Sequence, residues 1–280
     1  MRTDVTDLRD FYHTPLGVVA RRLLSQKIRS RWPRPVRLSA EELAHDSASG
    51  GNPGHSAAPA VARPQPLAPR GPVIMGFGFA SPFLGSFRGE ASRICALMPE
   101  GQGALIWPTA ERNMSVLVEE QYLPLPDACV DRMLIVHGLE VAEKPATLLR
   151  EIWRVMTPYG RLIIIVPNRS GIWARTDRTP FGQGRPYSRG QLDQQLRDAM
   201  FTPNDWDSAL YLPPINRGLV VRSANTIERV GMSVSRRFAG VIIVEATKEL
   251  IAPVGTRAPA IDLRKLVPVH IGALAPGGSR

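Results

Sequence analysis

The sequence predicts an α/β fold with parallel strands, and two apolar runs separated by a helix-like stretch carry that prediction. Met133–Val136 and Leu162–Val166 are continuously apolar, as expected for parallel strands buried on both faces. Between them apolar residues recur at helical spacing, and Pro145 suits a first helical turn. This order predicts a right-handed crossover unit, with a ligand site where its strands end.

Shorter apolar runs extend the predicted sheet. Pro72–Met75, Ile94–Met98 and Met114–Val118 are predicted to be the first three strands, and Gly240–Ala246 a closing strand. The turn after the first strand reads Gly76-Phe77-Gly78-Phe79-Ala80. Glycines at this position let the backbone approach a nucleotide closely.

One ordered set of residues between Glu119 and Asn168 follows a family pattern. Its members are Leu123, Pro124, Asp127, Asp131, His137, Leu139, Glu140, Pro145, Leu149, Glu151, Ile152, Arg154, Val155, Pro158, Gly160, Pro167 and Asn168. The segment resembles the C-terminal half of a class I S-adenosylmethionine-dependent methyltransferase of the type-11 kind. The resemblance extends over roughly residues 71 to 248. It implies an α/β fold with a Rossmann-like, doubly wound, mostly parallel seven-stranded sheet that has an antiparallel last strand.

The resemblance also implies S-adenosylmethionine as the cofactor and assigns residues to it. The implied cofactor-binding residues are Gly76, Gly78, Ala80, Met98, Glu119, Glu120, Leu123 and His137. Glu119 would contact the adenine amino group. His137 is the candidate catalytic base if the methyl acceptor carries a proton, and a half-buried structural histidine is the alternative interpretation.

Three positions depart from the family pattern. The first strand lacks an acidic residue, Ala80 replaces the third glycine, and Met98 stands where an acid would hold the ribose hydroxyls. Glu100, two residues later, is the candidate replacement. Losing such a carboxylate weakens binding by about tenfold or more. Two functions follow: methyl transfer from S-adenosylmethionine to an unidentified acceptor, or a catalytically inactive methyltransferase fold that acts as a binding or regulatory module.

The segment from Arg169 to Ser188 follows the fifth strand and is predicted to overhang the site as a lid or substrate gate. Its arginines favour an anionic substrate, and a solvated loop is the alternative. Arg169, Trp173 and Tyr187 are the predicted substrate-binding residues.

Composition predicts four regions. Residues 1–35 form a helical extension, 36–70 a flexible low-complexity insertion, 71–250 the methyltransferase-like domain and 251–280 a loosely ordered tail. The insertion is rich in Gly, Pro, Ala and Ser, which cannot bury enough apolar surface to offset ordering entropy. The basic N-terminal helix either docks on its own domain or lies on a membrane surface or partner.

The chain carries a formal net charge of +10, which either aids solubility or attracts anionic partners. It has no basic motif interleaved with aromatic residues of the RNA-binding kind. Cys95 and Cys129 lie in or beside apolar runs and are predicted to be buried free thiols. No convincing metal-ligand spacing, signal peptide or bilayer-spanning run occurs, so a cytoplasmic protein is expected. Nothing in the sequence indicates an oligomeric state.

Overall fold

Seven strands share one sheet in the computed structural model, which describes residues 4–34, 71–218, 222–234 and 238–249. They are β1 (Val73–Gly78), β2 (Arg93–Pro99), β5 (Ser115–Val118), β6 (Val130–Val136), β7 (Met156–Pro167), β8 (Phe201–Ala209) and β9 (Val241–Lys248). Two short strands, β3 (Pro108–Thr109) and β4 (Arg112–Asn113), pair separately as a hairpin.

The strand order of the sheet is β5-β2-β1-β6-β7-β9-β8. The first five strands in this order are parallel to one another. Strand β9 runs antiparallel to both β7 and β8. The order reverses between β1 and β6, and ligands bind at such switch points in open α/β sheets. The predicted doubly wound, mostly parallel seven-stranded sheet with an antiparallel last strand is confirmed.

Helices cover both faces of this sheet. They are α1 (Val5–His13), α2 (Pro15–Arg31), α3 (Ser81–Leu84), α4 (Pro145–Val155), α5 (Arg189–Asp198) and α6 (Ala224–Val234). Side chains of α1, α2, α3 and α6 pack on one face, and those of α4 and α5 pack on the other. The caps follow from the sequence: the Thr14 hydroxyl accepts from the Gly17 N–H, and Ser188 forms a capping box with Gln191.

The N-terminal helices dock on their own domain. Leu23, Leu24 and Ile28 of α2 are buried in the core beneath the sheet. The Trp32 indole N–H donates to the Glu245 carboxylate on β9 at 3.2 Å, and Lys27 forms an ion pair of 2.9 Å with the β8 carboxylate of Asp207. Of the two alternatives for this basic helix, the structure therefore shows docking.

Several predicted boundaries were wrong. Gly76 and Gly78 belong to β1 itself rather than to the turn after it, and Met156 begins β7 instead of ending α4. Strand β8 was not predicted. Both cysteines are free, as predicted, but only partly buried. The whole of the predicted insertion 36–70 and of the tail 251–280 lies outside the described residues. Within the described chain, none of the helices has the length and apolar character that crossing a bilayer requires.

Candidate functional site

An open cleft lined by glutamates lies at the carboxyl edge of β2 and β5. Glu100 follows β2 and Glu119 and Glu120 follow β5, while Glu143 comes from the segment before α4. These four residues, with Gly101 and Gln121, line a cleft of about 390 Å³. The Glu100 N–H donates to the Val118 carbonyl at 3.1 Å, so the two strand ends are held side by side.

The carboxylates of this acidic cleft differ in whether they accept a hydrogen bond from the chain itself. Glu120 accepts a hydrogen bond of 3.0 Å from the Glu143 N–H. Glu100 and Glu119 are exposed, and neither side chain has a hydrogen bond or ion pair with any residue that the structure describes. Both are therefore available to accept hydrogen bonds from a ligand.

The glycine turn, by contrast, is buried against other parts of the chain. A Cβ placed on Gly76 would lie 2.6 Å from the Ala80 Cβ, and one on Gly78, whose φ is +77°, would lie 2.5 Å from the Val136 carbonyl oxygen. The Phe79 N–H donates to that same carbonyl at 2.8 Å. In this conformation the glycines permit close contact of β1 with α3 and with the end of β6.

Aromatic side chains from α1 and from the segment after β7 cover this turn. The aromatic cluster consists of Phe11, Tyr12, Phe79, Phe83, Trp173 and Phe181. The Tyr12 ring stacks on Phe79 with their centroids 5.8 Å apart and their planes 16° apart. Phe181 lies against the His137 ring at 4.5 Å. All six side chains are buried, so the cluster fills the space above the glycine turn.

His137 lies at the centre of a buried polar network beneath this cluster. Its Nε2 lies 2.9 Å from the Tyr12 hydroxyl, and its Nδ1 lies 3.3 Å from a Glu140 carboxylate oxygen. The Gln102 side-chain amide donates to its carbonyl oxygen. Its backbone has a φ of +51°, a region that residues other than glycine rarely occupy.

The two tyrosines near Glu140 are held in their neutral form. Burial, followed by the Glu140 charge, raises the pKa of Tyr12 well above its usual value. The same two causes raise the pKa of Tyr187 to about 12. In the tautomer in which the Tyr12 hydroxyl donates to His137 Nε2, the ring proton lies on Nδ1, 3.3 Å from a Glu140 carboxylate oxygen. Neither Glu140 oxygen has a hydrogen-bond partner among the described residues, so Glu140 meets Nδ1 through charge proximity alone.

The structure separates the predicted cofactor residues into two groups. Glu119 and Glu120 line the acidic cleft, whereas Gly76, Gly78, Ala80, Met98 and His137 are buried beneath or beside the aromatic cluster. The Met98 sulfur lies 3.2 Å from the Leu105 N–H. Leu123 is buried on the opposite face of the sheet, where its N–H donates to Glu151 at 3.1 Å.

The predicted substrate residues also divide. Trp173 is fully buried and its indole N–H donates to the Leu212 carbonyl at 2.7 Å, so it is a core residue. Arg169 and Tyr187 line one pocket together with Arg185. The segment that carries them folds back onto the end of β6, because the Arg185 N–H donates to the Glu140 carbonyl at 2.8 Å.

Sequence reasoning missed Tyr12, Gln102 and Phe181 as neighbours of His137. Tyr12 is 125 residues away in the chain, and nothing in a single sequence pairs two such positions. The spacing of Glu140 three residues after His137 was the one local signal of the network.

Comparison with known proteins shows which family part of the chain is similar to. Residues 107–164 match the family model described as a methyltransferase domain. The match covers β3 to β6, α4 and part of β7, and it begins after the glycine turn. The resemblance to class I, type-11 S-adenosylmethionine-dependent methyltransferases is confirmed. The chain has no significant match among curated proteins.

Several solved structures are similar in outline. A chain in the complex of the Haloferax volcanii Trm112 methyltransferase activator with a methyltransferase is 16% identical, with 66% of this chain and 86% of that chain covered and a TM-score of 0.49. An S-adenosylmethionine-dependent methyltransferase of Thermotoga maritima is 18% identical, with 65% and 84% covered and a score of 0.44.

A third similar structure is the geranyl diphosphate C-methyltransferase of Streptomyces coelicolor A3(2), solved with Mg²⁺, geranyl diphosphate and S-adenosyl-L-homocysteine. It is 14% identical, with 65% of this chain and 74% of that chain covered and a score of 0.46. All three scores lie below 0.5, and the fold assignment stands on the strand order and directions.

Proposed function

We propose that this protein binds S-adenosylmethionine and transfers its methyl group to an acceptor that carries an anionic group. The acidic cleft is the observation that supports this most directly. Glu100 and Glu119 follow the two neighbouring strands whose ends hold the ribose and the adenine in the family that the sequence resembles. Both carboxylates are exposed in one open cleft.

The acidic cleft suits the adenosyl half of the cofactor. The ribose hydroxyls and the adenine amino group donate hydrogen bonds, and carboxylates accept such bonds strongly. The amino-acid half does not fit in the same way, because Tyr12 and Phe79 fill the space above the glycine turn. Binding of the whole cofactor therefore requires the Tyr12 ring to leave this position.

The chain's own groups are suited to hold a proton near the end of β6. Bound S-adenosylmethionine supplies an electrophilic methyl group, for which positioning is the main requirement. His137 Nε2 becomes free to accept a proton once the Tyr12 hydroxyl withdraws, and Glu140 faces the other ring nitrogen. We assign His137 as the base and Glu140 as the carboxylate beside its second ring nitrogen.

Calorimetric titration with S-adenosylmethionine, S-adenosylhomocysteine and adenosine tests the proposal. We expect saturable binding of all three, and Glu119→Gln should weaken each by about tenfold or more because a charge-assisted hydrogen bond is lost. Glu111→Gln is the matched control, since Glu111 lies in the exposed β3–β4 hairpin outside the cleft. Absence of heat at millimolar S-adenosylmethionine would overturn the proposal.

A binding or regulatory module without methyl transfer is the second candidate, and the packed aromatic cluster favours it. In that case the methionine half of the cofactor gains no contacts, and adenosine should bind as tightly as S-adenosylmethionine. A clear preference for S-adenosylmethionine over adenosine would instead exclude this candidate.

A further inference from the structure

A second pocket, distinct from the acidic cleft, lies beside α5. It has a volume of about 360 Å³, and its walls include Arg169, Arg185, Tyr187, Gln191, Gln195 and Asp198. It shares none of its lining residues with the acidic cleft. Gln191, Gln195 and Asp198 recur at helical spacing, so the pocket extends along one side of α5.

Backbone hydrogen bonds fix both arginines at this pocket. The Arg169 N–H donates to the Tyr187 carbonyl and the Tyr187 N–H donates to the Pro167 carbonyl, each at 2.9 Å. The Arg185 N–H is bound to Glu140 at the end of β6. The beginning and the end of the segment from Arg169 to Ser188 are therefore joined. The backbone at both arginines needs little further ordering before a ligand binds.

The charges of these two arginines are not neutralised within the described chain. Neither guanidinium has an ion pair or hydrogen bond with a residue that the structure describes, and both residues are exposed. Arg154, Arg161 and Arg197 on neighbouring elements do pair with carboxylates at 2.6 to 2.8 Å. Asp198 lines the same pocket without pairing to either arginine.

Tyr187 and Gln195 add no negative charge to the pocket wall. The buried Tyr187 hydroxyl donates to the Leu139 carbonyl at 3.4 Å and stays neutral at physiological pH, so it does not repel negative charge. The Gln195 Oε1 is buried without a hydrogen-bond donor among the described residues.

We propose that Arg169 and Arg185 bind the phosphate or carboxylate group of a small anion in this pocket. The two guanidinium groups can donate charge-assisted hydrogen bonds to a phosphate or to a carboxylate. The proposal deepens the proposed function, since it names the group by which the methyl acceptor is held. The pocket wall is joined to the segment that follows His137. Tyr187 donates to the Leu139 carbonyl and Arg185 to the Glu140 carbonyl.

Titration of the full-length protein with inorganic phosphate, glycerol 3-phosphate and acetate at constant ionic strength tests this inference. Arginine side-chain N–H signals in NMR spectra report the binding. We expect saturable binding that is weakened by about tenfold or more in the double variant Arg169→Gln/Arg185→Gln. A tighter response to phosphate than to acetate identifies a phosphate ligand, and the reverse identifies a carboxylate.

The matched control is Arg175→Gln/Arg178→Gln, which removes the same charge from the same segment outside the pocket. It should keep the affinity of the unmodified protein. Equal weakening in both double variants, or a response that does not saturate, would overturn the inference in favour of solvated arginines. Because no cofactor is added, such a failure leaves the calorimetric result with S-adenosylmethionine unaffected.

Discussion

The two halves of the predicted cofactor site have opposite characters. The acidic cleft is open and its Glu100 and Glu119 carboxylates are unpaired within the described chain, whereas the space above the glycine turn is filled by Tyr12 and Phe79. The open half lies largely within the segment that matches the methyltransferase model, and the filled half lies outside it. The matched segment thus includes the exposed Glu119 carboxylate and excludes the two rings that fill the other half.

Removing a ring from the filled half should have the largest effect. Phe79→Ala is expected to lower the free energy of unfolding by about 3–5 kcal/mol, as for other buried aromatic residues. It should also raise the affinity for S-adenosylmethionine relative to adenosine, because space opens above the glycine turn. Urea unfolding and calorimetry measure the two effects.

Phe87→Ala is the control for that variant, since Phe87 is equally buried but packs against Trp32 rather than Tyr12. It should destabilise the fold without changing the ratio of the two affinities. If both variants leave this ratio unchanged, the aromatic cluster does not limit cofactor binding.

A smaller effect is expected from Tyr12→Phe, which keeps the ring and removes the hydroxyl. The His137 Nε2 then loses its partner in a buried site, at a cost of about 1–3 kcal/mol. Urea unfolding at neutral pH measures this cost. Tyr122→Phe, at an exposed tyrosine, should stay within about 0.5 kcal/mol of the unmodified protein. Equal stability of Tyr12→Phe and the unmodified protein would contradict the buried hydrogen bond.

The same tyrosines predict how stability depends on alkaline pH. Their folded pKa values lie above the unfolded value of about 10, so the folded state retains protons that the unfolded state loses. The free energy of unfolding should therefore not be reduced by these tyrosines below pH ~10. Above that pH it should fall by up to about 1.4 kcal/mol per pH unit for each tyrosine. Unfolding measured between pH ~9 and ~12 in Tyr187→Phe should show a shallower fall, and an unchanged slope would refute the assignment.

The smallest expected change in stability belongs to the open half. Glu119→Gln should alter the free energy of unfolding by no more than about 0.5 kcal/mol, because the side chain is exposed. Its effect on adenosyl binding should nevertheless be about tenfold. A variant that loses stability and binding together would indicate that Glu119 supports the fold rather than the ligand.

The parts of the fold that the sequence predicted are those with strong local periodicity. The apolar runs of β6 and β7 and the helical spacing of α4 are local signals, and all three elements are present. Strand β8 contains Pro203, Asn204 and Asp205, which disfavour a strand, and its place at the sheet edge tolerates them. The packing of Tyr12 on Phe79 depends on contacts between distant segments, which no local pattern contains.

The docking of the N-terminal helices constrains how the protein is made. Residues 5–31 leave the ribosome before the surfaces they cover, which include β6 and β9, ending at residues 136 and 248. Translation adds about 5–20 residues per second, so the apolar side of α2 remains uncovered for many seconds. A nascent chain of this protein needs protection from aggregation until nearly all of the sheet has been synthesised.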